Sequence, residues 1–380
     1  MKIELTPELE ELRAEVRRFT ERELEPLARD IDSTGEIPQK AWDVMREAGY
    51  LGMRLPEEYG GTSASLSQMC IVLEEFSRSH RVLTGLIDAT SGLTPSAFVR
   101  HGSAAQREKY VRKLATGEMR AAFALTEPGA GSDSAAISTR AEKVDGGWKI
   151  NGRKHFISGG HVADVLMVMT VTDAQKRARG GITALLVEKG TPGFIVTRVD
   201  TTIGSEAWKL AELTFEDCFV PDSAVMGKVG EGFRIAMESL TDGRMAVACC
   251  CIGAAQRLLE LMTAHAKERV TFGEPLAARQ AIQWMLADSA VDITTARTLA
   301  YETLRQIEAG RPVGSAPSMC KLYCSEMVGR VTDRAIQVFG GQGLIRGFPV
   351  ERFYRDVRHY RIGEGTSEVH RMVIARDLLK

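Results

Sequence analysis

A carboxylate held between two glycines stands near the C-terminus, in the stretch Arg355 to Lys380 (RDVRHYRIGEGTSEVHRMVIARDLLK). Gly363-Glu364-Gly365-Thr366 separates two helix-like segments. Thr366 can cap the second, where Val369, Met372, Val373 and Ala375 recur at roughly helical spacing. Flanking glycines let backbone pass close to a flat ligand while Glu364 projects into a cleft. In such a cleft the carboxylate is a general base; on an open loop it is a solvated acid, and this stretch alone favours the solvated acid. A second run, Ala124 to Asp133 (ALTEPGAGSD), offers Gly129, Gly131 and the Ser132 hydroxyl as donors to a planar or anionic ligand. A surface turn would be equally glycine-rich. No G-x-G-x-x-G follows a strand and opens a helix, so this is not a dinucleotide fingerprint of the Rossmann kind. Cys320 and Cys324 have a spacing that can hold a metal, but no second ligand pair accompanies them, and no metal is expected. The seven cysteines are odd in number and three are adjacent (Cys249 to Cys251), which argues for reduced thiols and a cytoplasmic, disulfide-free protein.

The elements that must carry these groups fall into an α, β, α order. The chain has 380 residues with 44% hydrophobic content, enough for a large core and two or three domains. A formal net charge of -1 gives no electrostatic case for nucleic acid or an anionic membrane. The N-terminal MKIELTPELEELRAEVRRF lacks an apolar signal region and is too acidic for a transit peptide. No segment approaches ~18 uninterrupted apolar residues, so no membrane insertion is expected. Residues 6–118 read as helical: Thr6-Pro7 opens the first helix, Pro38 the next, and others run about Leu66–Ser79, Leu83–His101 and Ala104–Ala115. Short strands follow at Arg120–Leu125, Trp148–Ile150, Lys154–Ile157, Val165–Thr170, Thr183–Val187, Phe194–Arg198 and Glu212–Val220, which predicts an antiparallel barrel or sandwich. Helices at about 231–268, 278–309, 317–340, 349–358 and 367–379 describe a bundle. The expected domains are 1–118 (helical), 119–228 (β) and 229–380 (a four-helix bundle).

ALTEPGAGSD resembles the signature of the acyl-CoA dehydrogenase family of flavoproteins, and the likeness continues along the chain. Lys154-His-Phe-Ile-Ser158 is similar to the family's second flavin-contact strand, and Glu212 to Pro221 (ELTFEDCFVP) resembles the end of its β domain. Arg269-Val-Thr-Phe-Gly273 with Gln280, and Gln337 to Gly343 (QVFGGQG), resemble segments that in the family touch the FAD of a neighbouring subunit. Arg355-Asp356 with Glu364-Gly-Thr366 resembles its C-terminal signature.

The resemblance implies an FAD enzyme that removes a proton from Cα of an acyl-CoA while Cβ gives a hydride to flavin N5. That weakly acidic C–H requires a polarised thioester carbonyl and a carboxylate in a water-poor cleft. The family places its base either in the E-G-T motif or on the first helix of the C-terminal bundle. The second location here reads Leu240-Thr-Asp-Gly243-Arg244, with glycine at the alternative position, so the resemblance points to Glu364, with Asp242 and Asp88 as rivals. The Glu364 N–H and a ribityl hydroxyl would form the oxyanion hole. Leu125, Thr126, Gly131, Ser132, Phe156 and Ser158 would hold the flavin, Phe156 replacing a common tryptophan. Thr366 and Glu368 would face it, Glu368 replacing a common glutamine. Arg269, Phe272, Gln280, Gln337 and Gly341 would come from another subunit, implying a homotetramer, a dimer of dimers. Ser132, Arg244, Gly363 and Gly365 would contact the acyl-CoA, although Arg244 can equally be a structural ion-pair residue.

Departures from the pattern bear on substrate. Gly363 stands where straight-chain members carry tyrosine, which widens the cavity beside the base. Asp88, in Leu86 to Gly92 (LIDATSG), either faces solvent or faces the acyl pocket; in the pocket an apolar chain would leave it unpaired at a cost of several kcal/mol, roughly. Together they suggest a branched or alicyclic group such as cyclohexane- or cyclohexene-carboxyl-CoA, with Asp88 as an extra catalytic acid; the alternatives are a short or medium straight chain, or an oxidase or non-oxidative member of the same fold. Glu206 and Trp208 replace a basic residue and a serine in a loop normally near CoA. The expected electron acceptor is an electron-transferring flavoprotein.

Overall fold

The computed structural model describes residues 5–380. Helix α1 (Pro7–Phe19) is capped by Thr6, whose hydroxyl accepts from the Leu9 N–H. It runs through a π-type turn (Thr20–Leu24) into α2 (Glu25–Thr34), followed by α3 (Gln39–Glu47) and α4 (Leu66–Phe76). The segment expected as one helix over 83–101 is two, α5 (Arg81–Ser91) and α6 (Leu93–His101), followed by α7 (Ala104–Ala115). Gly92 leaves the helical conformation at φ -82 and ψ -135, and the Asp88 carboxylate accepts the freed Leu93 N–H at 3.4 Å.

The middle of the chain forms one sheet of eight strands: β1 (Ala121–Ala124), β2 (Arg140–Val144), β3 (Gly147–Ser158), β4 (Val165–Val171), β5 (Ile182–Glu188), β6 (Phe194–Asp200), β7 (Leu210–Pro221) and β8 (Val225–Met226). The order is β6-β7-β3-β2-β4-β5-β8, mostly antiparallel, with β1 beside β4 in a parallel pairing. The two strands expected at 148–150 and 154–157 are one. Register shifts against β7 after Ile150 and after Lys154 carry β3 through Asn151-Gly-Arg without a turn. β2 (RAEKV) gave no apolar signal because it is largely charged. β4 and β5 are almost wholly buried, which accounts for their continuous apolar runs.

The C-terminal part comprises α8 (Gly232–Glu268), a short hairpin β9 (Val270–Thr271) and β10 (Glu274–Pro275), α9 (Gln280–Glu308), α10 (Ala316–Phe339), α11 (Pro349–Val357) and α12 (Ser367–Leu378). By composition α8 is long and apolar enough to cross a membrane, at mean hydropathy 1.5, but 61% of that stretch is buried inside the protein as the bundle's core helix. It crosses α4 so closely that a Cβ on Gly253 would lie 1.8 Å from the Glu74 carbonyl oxygen. Beside that crossing, the buried Glu74 carboxylate accepts from Arg297 at 2.9 Å and from the Tyr301 hydroxyl at 2.7 Å, joining the N-terminal helices to α9. All seven cysteines are buried free thiols.

Candidate active site

Glu364 lies in the loop between α11 and α12, at φ 59, left-handed backbone that costs a non-glycine residue energy unless its surroundings enforce it. The fastening comes from α10. Glu326 accepts from Ser367 Oγ at 2.7 Å and pairs with Arg361 at 3.3 Å, gripping the loop on both sides, while the buried Lys321 ammonium donates to the Gly365 carbonyl. Thr366 caps α12, its hydroxyl accepting from the Val369 N–H. Glu368 is exposed in the first turn of α12.

The Glu364 carboxylate points at α8. A Cβ on Gly243 would lie 2.7 Å from its Oε2 and 3.0 Å from Leu93 Cδ2, so α8, the start of α6 and the loop converge on one point. Oε2 is buried without a hydrogen-bond partner among the described residues. Burial first, and then the charge of Asp88, push the Glu364 pKa up to about 7, while Arg244 and Lys321 pull the other way. Asp88 therefore shares the electrostatic surroundings of Glu364. Its side chain is reachable by water, yet burial raises its own pKa, partly opposed by the Leu93 N–H and by Arg81. Water therefore reaches the carboxylate while low-dielectric protein surrounds its other sides. Among the described residues Arg244 makes no ion pair within 4 Å, and its Nε is buried without a partner; burial lowers its pKa against the pull of Glu364. Asp242, in contrast, is engaged by Arg100 at 2.6 Å and Arg54 at 3.5 Å, as a structural carboxylate would be.

The glycine-rich run follows β1. The buried Lys154 ammonium underpins it, donating to the Leu125 carbonyl at 2.9 Å and to Glu127 at 2.8 Å. Glu127 also accepts from the N–H groups of Ser138 and Thr139. Burial alone would raise the Glu127 pKa, but Lys154 and these donors overcome it and bring it to about 2; burial lowers Lys154 to about 8. Thr126 is tied to β3 by the His155 N–H at 2.8 Å. Above this support Gly131, Ser132 and Ser158 are exposed, and nothing lies within 4 Å of a Cβ placed on Gly129 or Gly131. Phe156 is 55% exposed at φ 58, with His155 stacked on it at 3.8 Å. An open glycine face beside an exposed aromatic ring fits a flat cofactor such as FAD.

Arg269, Phe272, Gln280, Gln337 and Gly341 are all exposed and lie elsewhere. Stacking of His265 on Phe339 at 4.2 Å brings the ends of α8 and α10 together at one end of the bundle. At 1.5 Å rise per residue, Gln337 is about 24 Å along α10 from Lys321, and Arg269 about 38 Å along α8 from Arg244. One copy of the chain does not bring this group to Glu364. Gly363 is exposed, with only His359 near a Cβ there. The Trp208 ring lies 2.9 Å from a Cβ on Gly85, so it packs against the helix that carries Asp88. A groove of about 490 Å³ lined by Met319, Leu322, Tyr323 and Arg330 occupies the face of α10 opposite Lys321, and Glu326, which grips the Glu364 loop, also lines it. Sequence reasoning missed Lys321, Glu326 and His370. A lysine inside the apolar face of a predicted helix was the available signal.

The acyl-CoA dehydrogenase N-terminal, middle and C-terminal domain families match residues 6–118, 122–218 and 230–379. Acryloyl-CoA reductase (NADH) from Anaerotignum propionicum is 39% identical, covering 100% of this chain and 96% of the relative. The short-chain-specific acyl-CoA dehydrogenase of Clostridium acetobutylicum is 38% identical over 100% of both. A chain in a solved structure of the electron transferring flavoprotein of Acidaminococcus fermentans superposes with a TM-score of 0.95 at 36% identity, covering 100% of both. With its three domains matched in order and over full length, the chain belongs to the FAD-dependent acyl-CoA dehydrogenase family of oxidoreductases.

Proposed function

We propose that the chain desaturates an acyl-CoA thioester between Cα and Cβ, with Glu364 as the base. The observation that carries this is a buried carboxylate oxygen with no partner, on a group whose pKa lies near 7. The Glu364 carboxylate takes the Cα proton, the Cα–H electron pair becomes the new C=C bond, and hydride leaves Cβ. FAD, when bound, supplies the acceptor for that hydride. Leu125, Thr126, Gly131, Ser132, Phe156 and Ser158 would hold it, and the Glu364 N–H would donate to the thioester oxygen. Arg269, Phe272, Gln280, Gln337 and Gly341 would complete the cofactor site from a second copy in a homotetramer. Their exposure and their distance along the bundle from Lys321 and Arg244 support that reading.

The acyl group is inferred from the cleft. Gly363 leaves room beside the base, and an acid at Asp88 suits a substrate with a reactive position beyond Cβ, as in a cyclohexane- or cyclohexene-carboxyl thioester. The short-chain relative favours a second reading, a small straight-chain acyl group. An electron-transferring flavoprotein as acceptor is supported by the structural relative described under that name. Anaerobic flavin bleaching against butyryl, octanoyl, isovaleryl, glutaryl, cyclohexane-carboxyl and cyclohexene-carboxyl thioesters tests both readings. Fast bleaching by the cyclic compounds alone supports the first. Fast bleaching by butyryl-CoA, unchanged in Asp88→Asn, establishes the second. A Glu364→Gln enzyme that binds FAD yet still bleaches at the native rate would overturn the assignment of the base.

A further inference from the structure

Lys321 is fully buried on α10, and among the described residues the Gly365 carbonyl is its one hydrogen-bond partner. A buried ammonium costs several kcal/mol, roughly, and it sits directly beneath the loop that presents Glu364. That loop holds two successive positive φ angles, 59 at Glu364 and 99 at Gly365. Behind it lies the imidazole of His370, buried with neither ring nitrogen hydrogen-bonded and with Nε2 at 3.1 Å from a Cβ placed on Gly365. Burial followed by the charges of Lys321 and Arg244 pushes the His370 pKa down to about 4, opposed by the Glu364 and Gly365 backbone beside the ring. At Gly365 itself the lysine supplies the charged hydrogen bond.

We propose that Lys321 is a positioning residue for Glu364, its ammonium clamping the Gly365 carbonyl so that the carboxylate stays aimed at the Gly243 gap. The inference rests on Glu364 being the base. A positive charge at that place also bears on ionisation. The groups that act on Glu364 are Asp88 from α5, Arg244 from α8 and Lys321 from α10, with neutral His370 from α12 packed beneath. The groups that act on Lys321 are Cys251 and Arg244 from α8, Glu326 from α10 and Glu364 itself, and burial brings the lysine down to about 8. Between about 7 and about 8 both partners are charged, and the ammonium favours the carboxylate form. Removing it moves the ionisation of Glu364 to higher pH.

The test compares Lys321→Met, Lys321→Gln and Lys321→Arg as FAD-loaded enzymes, with Glu364→Gln in parallel. Two readouts are followed: the pH profile of substrate bleaching, and the carboxyl titration in infrared difference spectra against Glu364→Gln. Lys321→Met is expected to lose on the order of tenfold to a hundredfold of the plateau rate, the scale of a misplaced catalytic group. Its carboxyl titration should also move to higher pH. Lys321→Gln keeps a donor without the charge, so its plateau should fall less while the titration moves equally. Lys321→Arg, which restores charge and donor, should bring the titration back. A lysine that only fills space would lower stability in every variant and leave the titration in place, and that result overturns the proposal. If Lys321→Met does not fold, Lys321→Gln with an unmoved titration is equally decisive. Native-rate bleaching by Glu364→Gln would instead show that the base itself was misassigned.

Discussion

A carboxyl group with a pKa near 7 has consequences that can be read separately from catalysis. The folded pKa of Glu364 is raised from 4.5 to about 7, so the folded state holds the proton more tightly than the unfolded chain. Its contribution to stability is fully present below pH 4.5 and is lost as pH rises through about 7. Glu364→Gln removes that loss, and we expect the variant to be more stable than the native protein at pH 8 by about 3 kcal/mol, with little difference at pH 4. Urea unfolding at the two pH values checks this. Bleaching by substrate should rise with pH through about 7, because only the carboxylate accepts the proton. Gly243→Ala probes the same point from α8. Its Cβ would stand 2.7 Å from Glu364 Oε2, so turnover should fall on the order of tenfold or more although the fold gains helix propensity. Stopped-flow bleaching beside a melting curve would show rate and stability moving in opposite directions.

At the level of elements, the two halves of the site are each held by a buried lysine. Lys154 supports the turn after β1, and Lys321 supports the loop before α12. In the first case the charge has a full partner in Glu127, and removing one member of such a pair leaves the other uncompensated. Glu127→Ala should cost about 3–5 kcal/mol and release FAD before the protein unfolds globally, followed by flavin fluorescence against denaturant. The break between α5 and α6 works differently. Gly92 ends one helix, and the Asp88 carboxylate serves the first N–H of the next. Asp88 thus has a structural partner as well as a view of Glu364, and Asp88→Asn can keep the first while cancelling the second. Loss of the Asp88 charge removes a cause that raises the Glu364 pKa, so the bleaching profile of Asp88→Asn should move to lower pH.

For the whole molecule, the exposed apolar residues are informative. Phe272 is 98% exposed, and Trp284, Val291, Leu344 and Ile345 are each more than half exposed. Large side chains on the outside of a bundle mark contact surfaces. Phe272 and Gln280, both proposed to reach a second copy's cofactor, lie in and just after the hairpin of β9 and β10. On the proposed homotetramer, Phe272→Glu should dissociate the copies and lower FAD occupancy together, measured by light scattering and the flavin absorbance ratio. Dissociation with full occupancy would show that each chain holds its FAD unaided.

How much of this was legible beforehand divides along the reach of the interactions. The order of helices and strands, the Thr6 and Thr366 caps and the two loops beside glycine were readable from sequence, because caps, turns and periodicity are set by residues a few positions apart. So was family membership, carried by motifs in order. β2 and the break at Gly92 were not readable. A charged strand is made by its neighbours in the sheet, and a helix is broken where another backbone or carboxylate competes for its N–H. The sequence offered Glu364, Asp242 and Asp88 as acids and could not rank their surroundings. Only tertiary structure decided that Asp242 faces two arginines, that the Asp88 charge acts on Glu364, and that a lysine from α10 stands under Gly365. Burial and charge are sums over groups distant in the chain, and those sums exist only once the helices have packed.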